Sequence, residues 1–243
     1  LNGKLFARVK AVYDRRAKLK LDEVQRYLLE NTYRGFVRSG ALLDEKQKAR
    51  MREINKEHSL LALKFDDNVL AETNSSFIGI DSKEDLAGLP DGVIAEAAAT
   101  AKAMAMEGKW VFTAQKTSWI PFLQYSPKRS LREALYTRWF MRGDRDNDKD
   151  NKAVLQKLMV LREERYRLLG YKTPADFYLE PRMAKTPAAV NEFLMRLWKP
   201  ALEQAKAEVA GMQKLIDEEK GGFALQSWDW WYYAEKLRKA KYD

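Results

Sequence analysis

The first residues that could carry out chemistry are Glu57 and His58. Helical zinc hydrolases use a His-Glu-x-x-His motif, in which two imidazoles four residues apart bind the metal and the glutamate polarises a water molecule. This sequence contains one His and no Cys, so it offers neither the second imidazole nor a thiolate. We therefore expect no zinc site and no histidine-based catalysis in this sequence, and a structural role for His58 in the apolar stripe of its helix.

Four aspartates at alternate positions imitate the oxygen ligands of a calcium-binding loop. They are Asp144, Asp146, Asp148 and Asp150. A calcium loop needs Gly at its sixth position and a bidentate Glu at its twelfth. The corresponding residues here are Lys149 and Leu155. The sequence therefore predicts an exposed polar loop over 142–151 and no metal ion.

A dense group of aromatic residues lies near the end of the chain. Such rings can stack on bases or line a peptide-binding cleft. Their spacing covers all sides of a helix, so at least half of them must belong to the protein core. The group consists of Trp228, Trp230, Trp231, Tyr232 and Tyr233.

The chain carries 44 Lys and Arg against 35 Asp and Glu, a formal charge of +9. An excess of positive charge suggests nucleic acid as a partner. The alternative function is therefore a basic helical module that binds nucleic acid, or a structural interaction module. Along most helices, however, the two signs alternate, as in Glu45-Lys46-Gln47-Lys48. Alternation of this kind is typical of solvated helix faces, so nucleic acid is not the favoured partner.

Hydrophobic periodicity predicts an all-α chain that is mostly helical. Its longest early helix begins at Asp44 and runs to about Glu72. The exception is the aromatic-rich segment 109–125, which we predict to be extended or to form a small β-hairpin, and Phe77, Ile78 and Ile80 indicate a short strand. The chain is predicted to be one helical region, 1–243, with a subdivision into 1–108 and 126–243 joined by 109–125.

Helix starts are predicted by capping residues and by Pro at the first helical position. These signals occur at Asp44, with Gln47 three residues on as a near capping box, and at Asp91, Ser126-Pro127, Thr173-Pro174, Thr186-Pro187 and Ser227. A further helix is predicted from about Asp22. No apolar run approaches the roughly 18 residues that a membrane span requires. The chain begins without an initiator Met and ends just after a basic helix, so we expect it to be cut from a longer protein. The expected compartment is the cytoplasm, with the periplasm as the alternative.

Several segments, in their order along the chain, resemble the thimet-oligopeptidase-like zinc metallopeptidases, and within them the bacterial peptidyl-dipeptidase branch. The resemblance spans nearly the whole chain. Each segment is short, and the order in which they occur is what makes the resemblance specific. The segments are Phe36-Val37-Arg38-Ser39-Gly40-Ala41, Leu86-Ala87-Gly88-Leu89-Pro90, Gly108-Lys109-Trp110, Arg129-Ser130-Leu131-Arg132-Glu133, Leu168-Leu169-Gly170-Tyr171, Met183-Ala184-Lys185-Thr186-Pro187 and Trp228-Asp229-Trp230-Trp231-Tyr232-Tyr233.

In that family the zinc motif lies downstream of the Trp-Asp-x-x-Tyr-Tyr-like segment. The resemblance implies a parent peptidase that uses zinc to release dipeptides from peptide C-termini. This chain would be the non-catalytic helical part of that peptidase, inactive alone and without a cofactor of its own. It would form part of the wall of the substrate channel. Its implied partners are the catalytic remainder of the peptidase and short peptide substrates. The residues expected to contact the cleft or the core are Trp228, Tyr232 and Tyr233.

Overall fold

The fold is mostly helical, as the periodicity predicts. The structure is a computed structural model that describes residues 2–242. Within those residues the chain forms ten α-helices and two short strands. In chain order they are α1 Gly3–Asp14, α2 Glu23–Arg38, α3 Glu45–Ser75, β1 Phe77–Ile80, α4 Asp91–Ala103, β2 Trp110–Thr113, α5 Lys116–Tyr125, α6 Arg129–Phe140, α7 Lys152–Leu168, α8 Pro174–Leu179, α9 Pro187–Glu218 and α10 Trp230–Tyr242.

The first of two compact units comprises the described residues up to Ala62 together with Gln156–Val190. Helices α1 and α2 contact each other through aromatic rings, with the Tyr13 and Tyr33 centroids 3.7 Å apart and nearly parallel. The start of α3 contributes Ile54, which is fully buried. A bidentate ion pair then joins α3 to α7, because Arg50 donates to both carboxylate oxygens of Glu164, at 2.6 and 2.8 Å.

The second compact unit comprises Leu63–Leu155 together with the described residues from Asn191 onward. Strands β1 and β2 pair antiparallel, with Phe77 opposite Thr113 and Ile80 opposite Trp110. Helices α4, α5 and α6 cover this small sheet with a continuous apolar core. The buried members of that core are Ile78, Ile80, Leu86, Leu89, Ala97, Phe112, Trp119, Phe122, Leu123 and Leu135.

Three α-helix starts have the geometry expected of a capping box. At Asp44 the backbone N–H of Gln47 donates to the Asp44 side chain at 2.7 Å, and the Gln47 side chain accepts from the Asp44 N–H. Asp22 accepts a hydrogen bond from the backbone N–H of Gln25 at 2.8 Å, and the Gln25 side chain accepts one from the Asp22 N–H. Thr173 and Asp176 make the same reciprocal pair at the start of α8. Each box satisfies two donors that a helix start otherwise leaves unpaired.

Part of the prediction for 109–125 is wrong. Residues 110–113 do form a strand, but its partner is β1 rather than a neighbouring strand in a hairpin. Residues 116–125 form helix α5. The physical reason is that Trp119, Phe122 and Leu123, at helical spacing, are all buried in the core beside the sheet.

Three predicted helix starts are displaced. Ser126 ends α5 instead of capping α6, which follows Lys128, and Asp91 lies inside the first turn of α4 after Pro90. Ser227 begins a short 3-10 helix, Ser227–Asp229, and the cap interaction there belongs to Asp229, which accepts from the backbone N–H of Gln226 at 3.1 Å. A buried carboxylate needs hydrogen-bond donors. The Asp229 side chain therefore makes the cap interaction predicted for Ser227.

None of the helices within residues 2–242 combines the length and apolar character needed to cross a membrane.

Candidate functional site

The three residues predicted to contact a cleft or the core lie in different environments at the start of α10. Tyr233 is buried, with 4% of its surface exposed, whereas Trp228 and Tyr232 are half-buried. Trp228 belongs to the 3-10 helix that precedes α10, and the two tyrosines belong to the first turn of α10 itself. The structure therefore brings the three residues together at one helix start. The side chains of Trp228 and Tyr232 remain partly exposed there, and that of Tyr233 is buried.

Asp229 is the polar centre of this region, and its side chain is completely buried. Its Oδ1 atom lies 2.7 Å from Nη2 of Arg132, and its Oδ2 atom lies 3.1 Å from Nη2 of Arg129. The backbone N–H of Gln226 also donates to Oδ2. A buried carboxylate needs this number of partners, because an unpaired charge inside a protein carries a large desolvation cost.

Arg132 is the second fully buried charge, with 1% of its surface exposed. Besides Asp229, it donates from Nη1 to the carbonyl oxygen of Ser126 at 2.8 Å. Its guanidinium carbon lies 4.3 Å from the centroid of the Tyr232 ring, a cation–π arrangement. Arg132 on α6 therefore holds the end of α5, the 3-10 helix and the first turn of α10 in one place.

Tyr233 contributes packing rather than a free hydroxyl group. Its ring belongs to an apolar cluster with Met212 and Ile216 of α9. Burial raises the pKa of Tyr233 above its ordinary value, and the negative charge of Glu219 raises it further. The Tyr232 ring is perpendicular to it, with centroids 5.2 Å apart. Of the two tyrosines, Tyr232 is the one with a partly open surface.

Trp228 and Trp231 extend the site into an aromatic cluster on α5 and α6. Trp231 packs edge-on against Trp119, with a centroid distance of 5.3 Å, and lies 5.9 Å from Tyr136. Trp228 lies 6.3 Å from the Tyr136 ring, and the guanidinium of Arg129 lies 5.5 Å from the Trp228 ring. The cluster anchors the beginning of α10 with rings on one side and the buried ion pairs on the other.

Three of the four aspartates of the polar loop surround a lysine, and the fourth, Asp148, pairs with Lys149. Lys152 places its ammonium nitrogen 2.6 Å from Asp144, 2.9 Å from Asp146 and 2.6 Å from Asp150. A side chain of this protein thus provides the positive charge that a metal ion supplies in a calcium loop.

His58 lies on α3, where Nε of Arg162 donates to its Nε2 atom at 3.3 Å. Burial lowers the pKa of His58 below its ordinary value, and the charges of Arg162 and Arg165 lower it further. Within residues 2–242, no three His, Cys, Asp or Glu side chains are arranged to hold a metal ion. The donor groups described within residues 2–242 therefore do not fit a zinc site.

Sequence reasoning missed the roles of Arg129, Arg132 and Asp229. One local signal was available, since Asp229 stands between Trp228 and Trp230 in an otherwise aromatic run. A charged residue in such a run is typical of a buried and paired position. Its partners could not be identified in the same way, because they lie about 100 residues earlier in the chain.

This anchored helix start falls within a region matched by a known family. The sequence profile of Peptidase family M3 matches residues 122–243, which is half of the chain, and the chain belongs to this family. The predicted resemblance to the thimet-oligopeptidase-like metallopeptidases and their peptidyl-dipeptidase branch is therefore confirmed. The matched region includes the Arg129, Arg132 and Asp229 cluster and the whole of α10.

Individual relatives extend the similarity over the whole chain. The dipeptidyl carboxypeptidase of Escherichia coli (strain K12) is 35% identical over 243 residues, which is 100% of this chain and 36% of the relative. Oligopeptidase A of Salmonella typhimurium is 33% identical over 91% of this chain and 33% of its own length. Saccharolysin of Saccharomyces cerevisiae is 25% identical over 82% of this chain and 28% of its own length. The chain thus spans about a third of the length of these curated relatives.

Proposed function

We propose that this chain is the helical, non-catalytic part of a zinc metallopeptidase of the peptidyl-dipeptidase type, which releases dipeptides from the C-termini of peptides. The observation that carries the proposal is the similarity to a dipeptidyl carboxypeptidase along all 243 residues, while that relative is almost three times as long. The donor groups described within residues 2–242 are consistent with a division of labour, because no three of them are arranged to hold a zinc ion. Zinc and the catalytic residues then belong to the remainder of the peptidase, which is the chain's first partner.

The proposed role of the helices is to form part of the wall of the substrate channel, with short peptides as the second partner. Trp228 and Tyr232 are the proposed contact residues, because their rings are half-buried and are fixed by Arg129 and Arg132. Tyr233 supports them from the core. A wall of rigidly held rings can bind apolar peptide side chains without losing side-chain entropy on binding. We place the peptidase in the cytoplasm, with the periplasm as the alternative, and cell fractionation tests this assignment.

The first experiment compares the isolated chain with the full-length peptidase that carries it. Both are supplied with zinc and assayed for release of a C-terminal dipeptide from an N-blocked peptide. We expect turnover by the full-length protein, its loss with a chelator, and no turnover by the isolated chain. Hydrolysis by the isolated chain at a rate near that of the full-length protein would contradict the division of labour.

The channel wall is tested in the full-length peptidase with Tyr232→Ala and the matched control Tyr232→Phe. Removing a ring that contacts the peptide raises KM, while Phe retains the ring and its contact. We expect KM to rise severalfold for Tyr232→Ala with kcat little changed, and to stay near the wild-type value for Tyr232→Phe. An unchanged KM for both variants would remove Tyr232 from the proposed wall.

A further inference from the structure

Helix α9 carries one continuous apolar stripe along its length. Its residues recur at spacings of three, four or seven positions, which places them on one face of a helix. The opposite face carries Glu192, Arg196, Lys199 and Glu203, and these charges mark the side that faces solvent. The apolar stripe consists of Leu194, Leu197, Trp198, Ala201, Ala205, Met212 and Ile216.

The C-terminal end of this stripe is already covered by the chain itself. Met212 and Ile216 are buried, with 1% and 0% of their surfaces exposed, and they pack against Tyr233 of α10. The segment between the two helices is held in place by Gln213, whose side chain donates to the Phe223 carbonyl oxygen and accepts from the Leu225 N–H. This end of the stripe is therefore a helix–helix contact.

The N-terminal end of the same stripe lies open. Leu194, Leu197 and Trp198 expose 52%, 52% and 57% of their surfaces. Together with Asn191, Met195 and Ala201 they line a groove of about 450 Å³. An exposed apolar groove that continues a buried helix contact is typical of an interaction surface.

We propose that the open end of this stripe binds an amphipathic helix of the same polypeptide, from the part of the peptidase beyond these 243 residues. The proposal rests on the proposed function, in which the chain is one part of a longer peptidase. Three observations support it. The stripe continues the face that α10 covers, the chain spans 36% of the dipeptidyl carboxypeptidase, and the small residues Ala201 and Ala205 allow a second helix to approach closely.

The chemistry of the stripe defines the partner helix. Because the open end presents apolar side chains and no charge along its centre, the partner must present apolar residues at helical spacings of three and four. The bulky Leu197 and Trp198 lie four and three residues before the small Ala201, which makes them its neighbours on the helix surface, so a large side chain of the partner fits over Ala201. Such packing buries the exposed Trp198 ring and the leucines beside it and leaves the charged face of α9 in water.

The test uses cysteine reporters, which the chain permits because it contains no Cys. Ala201→Cys and Ala205→Cys report on the stripe, and Glu203→Cys is the matched control on the charged face of the same helix. Each variant is labelled with a maleimide, both in the isolated chain and in the full-length peptidase, and site-specific labelling is measured by mass spectrometry of the digested protein. We expect labelling at 201 and 205 to be at least about tenfold slower in the full-length protein, and labelling at 203 to be alike in both.

Equal labelling of Ala201→Cys and Ala205→Cys in the two proteins overturns the proposal. Protection of both sites in the isolated chain, with a dimer in analytical ultracentrifugation, also overturns it, because the occupant is then a second copy. Peptidase activity is measured on the same full-length preparations. Protection without peptidase activity refutes the proposed function and leaves the docking surface in place, whereas activity without protection refutes the docking surface alone.

Discussion

The side chains of Arg132 and Asp229 form an ion pair from which water is almost completely excluded. The Nη2 and Oδ1 atoms are 2.7 Å apart, and the two residues expose 1% and 0% of their surfaces. They are separated by 97 residues in sequence. The pair therefore fixes where α10 begins relative to α6, and α10 is the helix that carries the candidate site.

The first prediction concerns Asp229→Ala. The substitution leaves the Arg132 guanidinium buried without its carboxylate, and removal of one partner of a buried pair costs about 3–5 kcal/mol of unfolding free energy. We expect a large fall in the urea midpoint, measured by tryptophan fluorescence. This probe reports on the second compact unit, because that unit contains all seven tryptophans: Trp110, Trp119, Trp139, Trp198, Trp228, Trp230 and Trp231.

The matched control for the buried pair is Glu203→Ala. Glu203 pairs with Lys206 at 2.9 Å on α9, but the two side chains are 73% and 63% exposed. Exposed pairs of this kind contribute little to stability. The urea midpoint should therefore stay near that of the unmodified chain. Similar midpoints for Asp229→Ala and Glu203→Ala would show that the buried pair is not the anchor described here.

The second prediction concerns Gly88→Ala. Gly88 has a φ of +82°, and a Cβ atom there would lie 2.9 Å from the carbonyl oxygen of Tyr125. Both the left-handed backbone and the contact disfavour any side chain, so we expect a loss of more than about 1 kcal/mol. Thermal unfolding followed by circular dichroism measures the loss.

Gly92→Ala is the matched control four residues along the chain. Gly92 lies inside α4, and a Cβ atom there meets no other atom within 4 Å. Alanine in this position restricts the unfolded chain without strain, so we expect a gain of about 0.4–1 kcal/mol. A loss of stability for Gly92→Ala comparable to that of Gly88→Ala would show that neither the positive φ nor the close contact at Gly88 determines the loss.

The parts of the fold that the sequence predicts are those determined by neighbours in the chain. The capping boxes of Asp22 with Gln25 and Thr173 with Asp176 each involve residues three apart. The long helix predicted from Asp44 to about Glu72 is observed as Glu45–Ser75. Periodicity and capping act within one or two turns, so a single sequence contains the information needed.

The parts that were missed depend on residues far apart in the chain. The strand at Trp110–Thr113 pairs with Phe77–Ile80, and no local signal identifies that partner. The sequence predicts an extended segment where α5 lies, because aromatic residues and Pro121 favour strands and loops, although the buried face of α5 has helical spacing. Packing of that face into the core beside the sheet determines that the segment is helical, and this core exists only in the folded chain.

The third prediction concerns the lysine inside the aspartate loop. A hydrogen bond from Lys152 lowers the pKa of Asp150 to about 2, and the backbone N–H of Lys152 contributes in the same direction. Because the folded pKa lies below the unfolded value of about 3.9, the stabilisation is present above that value and is lost as the pH falls towards 2. Lys152→Met should raise the Asp150 pKa towards its ordinary value and weaken this dependence, while the backbone N–H groups of residues 146 and 152 still lower the pKa; NMR titration of the carboxyl carbons measures the change.

Lys149→Met is the control for the loop. The Lys149 ammonium group lies 2.8 Å from Asp148 and lowers the pKa of that carboxyl group. Its removal should raise the pKa of Asp148 and leave that of Asp150 unchanged. An Asp150 pKa that responds equally to both substitutions would mean that net charge, and not the position of Lys152, determines its value.

The last prediction concerns His58 and can be followed without assignment difficulties, because the chain contains a single His. Burial lowers the pKa of His58 first, and the positive charges of Arg162 and Arg165 lower it further. The unfolded chain, with a pKa of about 6.5, then binds more protons than the folded chain, so stability falls as the pH drops from that value through the folded pKa. We expect Arg162→Met to raise the pKa of His58 and to weaken this pH dependence, while burial keeps the pKa below its ordinary value.

The control is Arg167→Met on the same helix, since Arg167 is exposed and pairs with Glu163. The pKa is measured from the imidazole proton resonance, and a wild-type value at or above about 6.5 would contradict the arrangement of His58 beside Arg162.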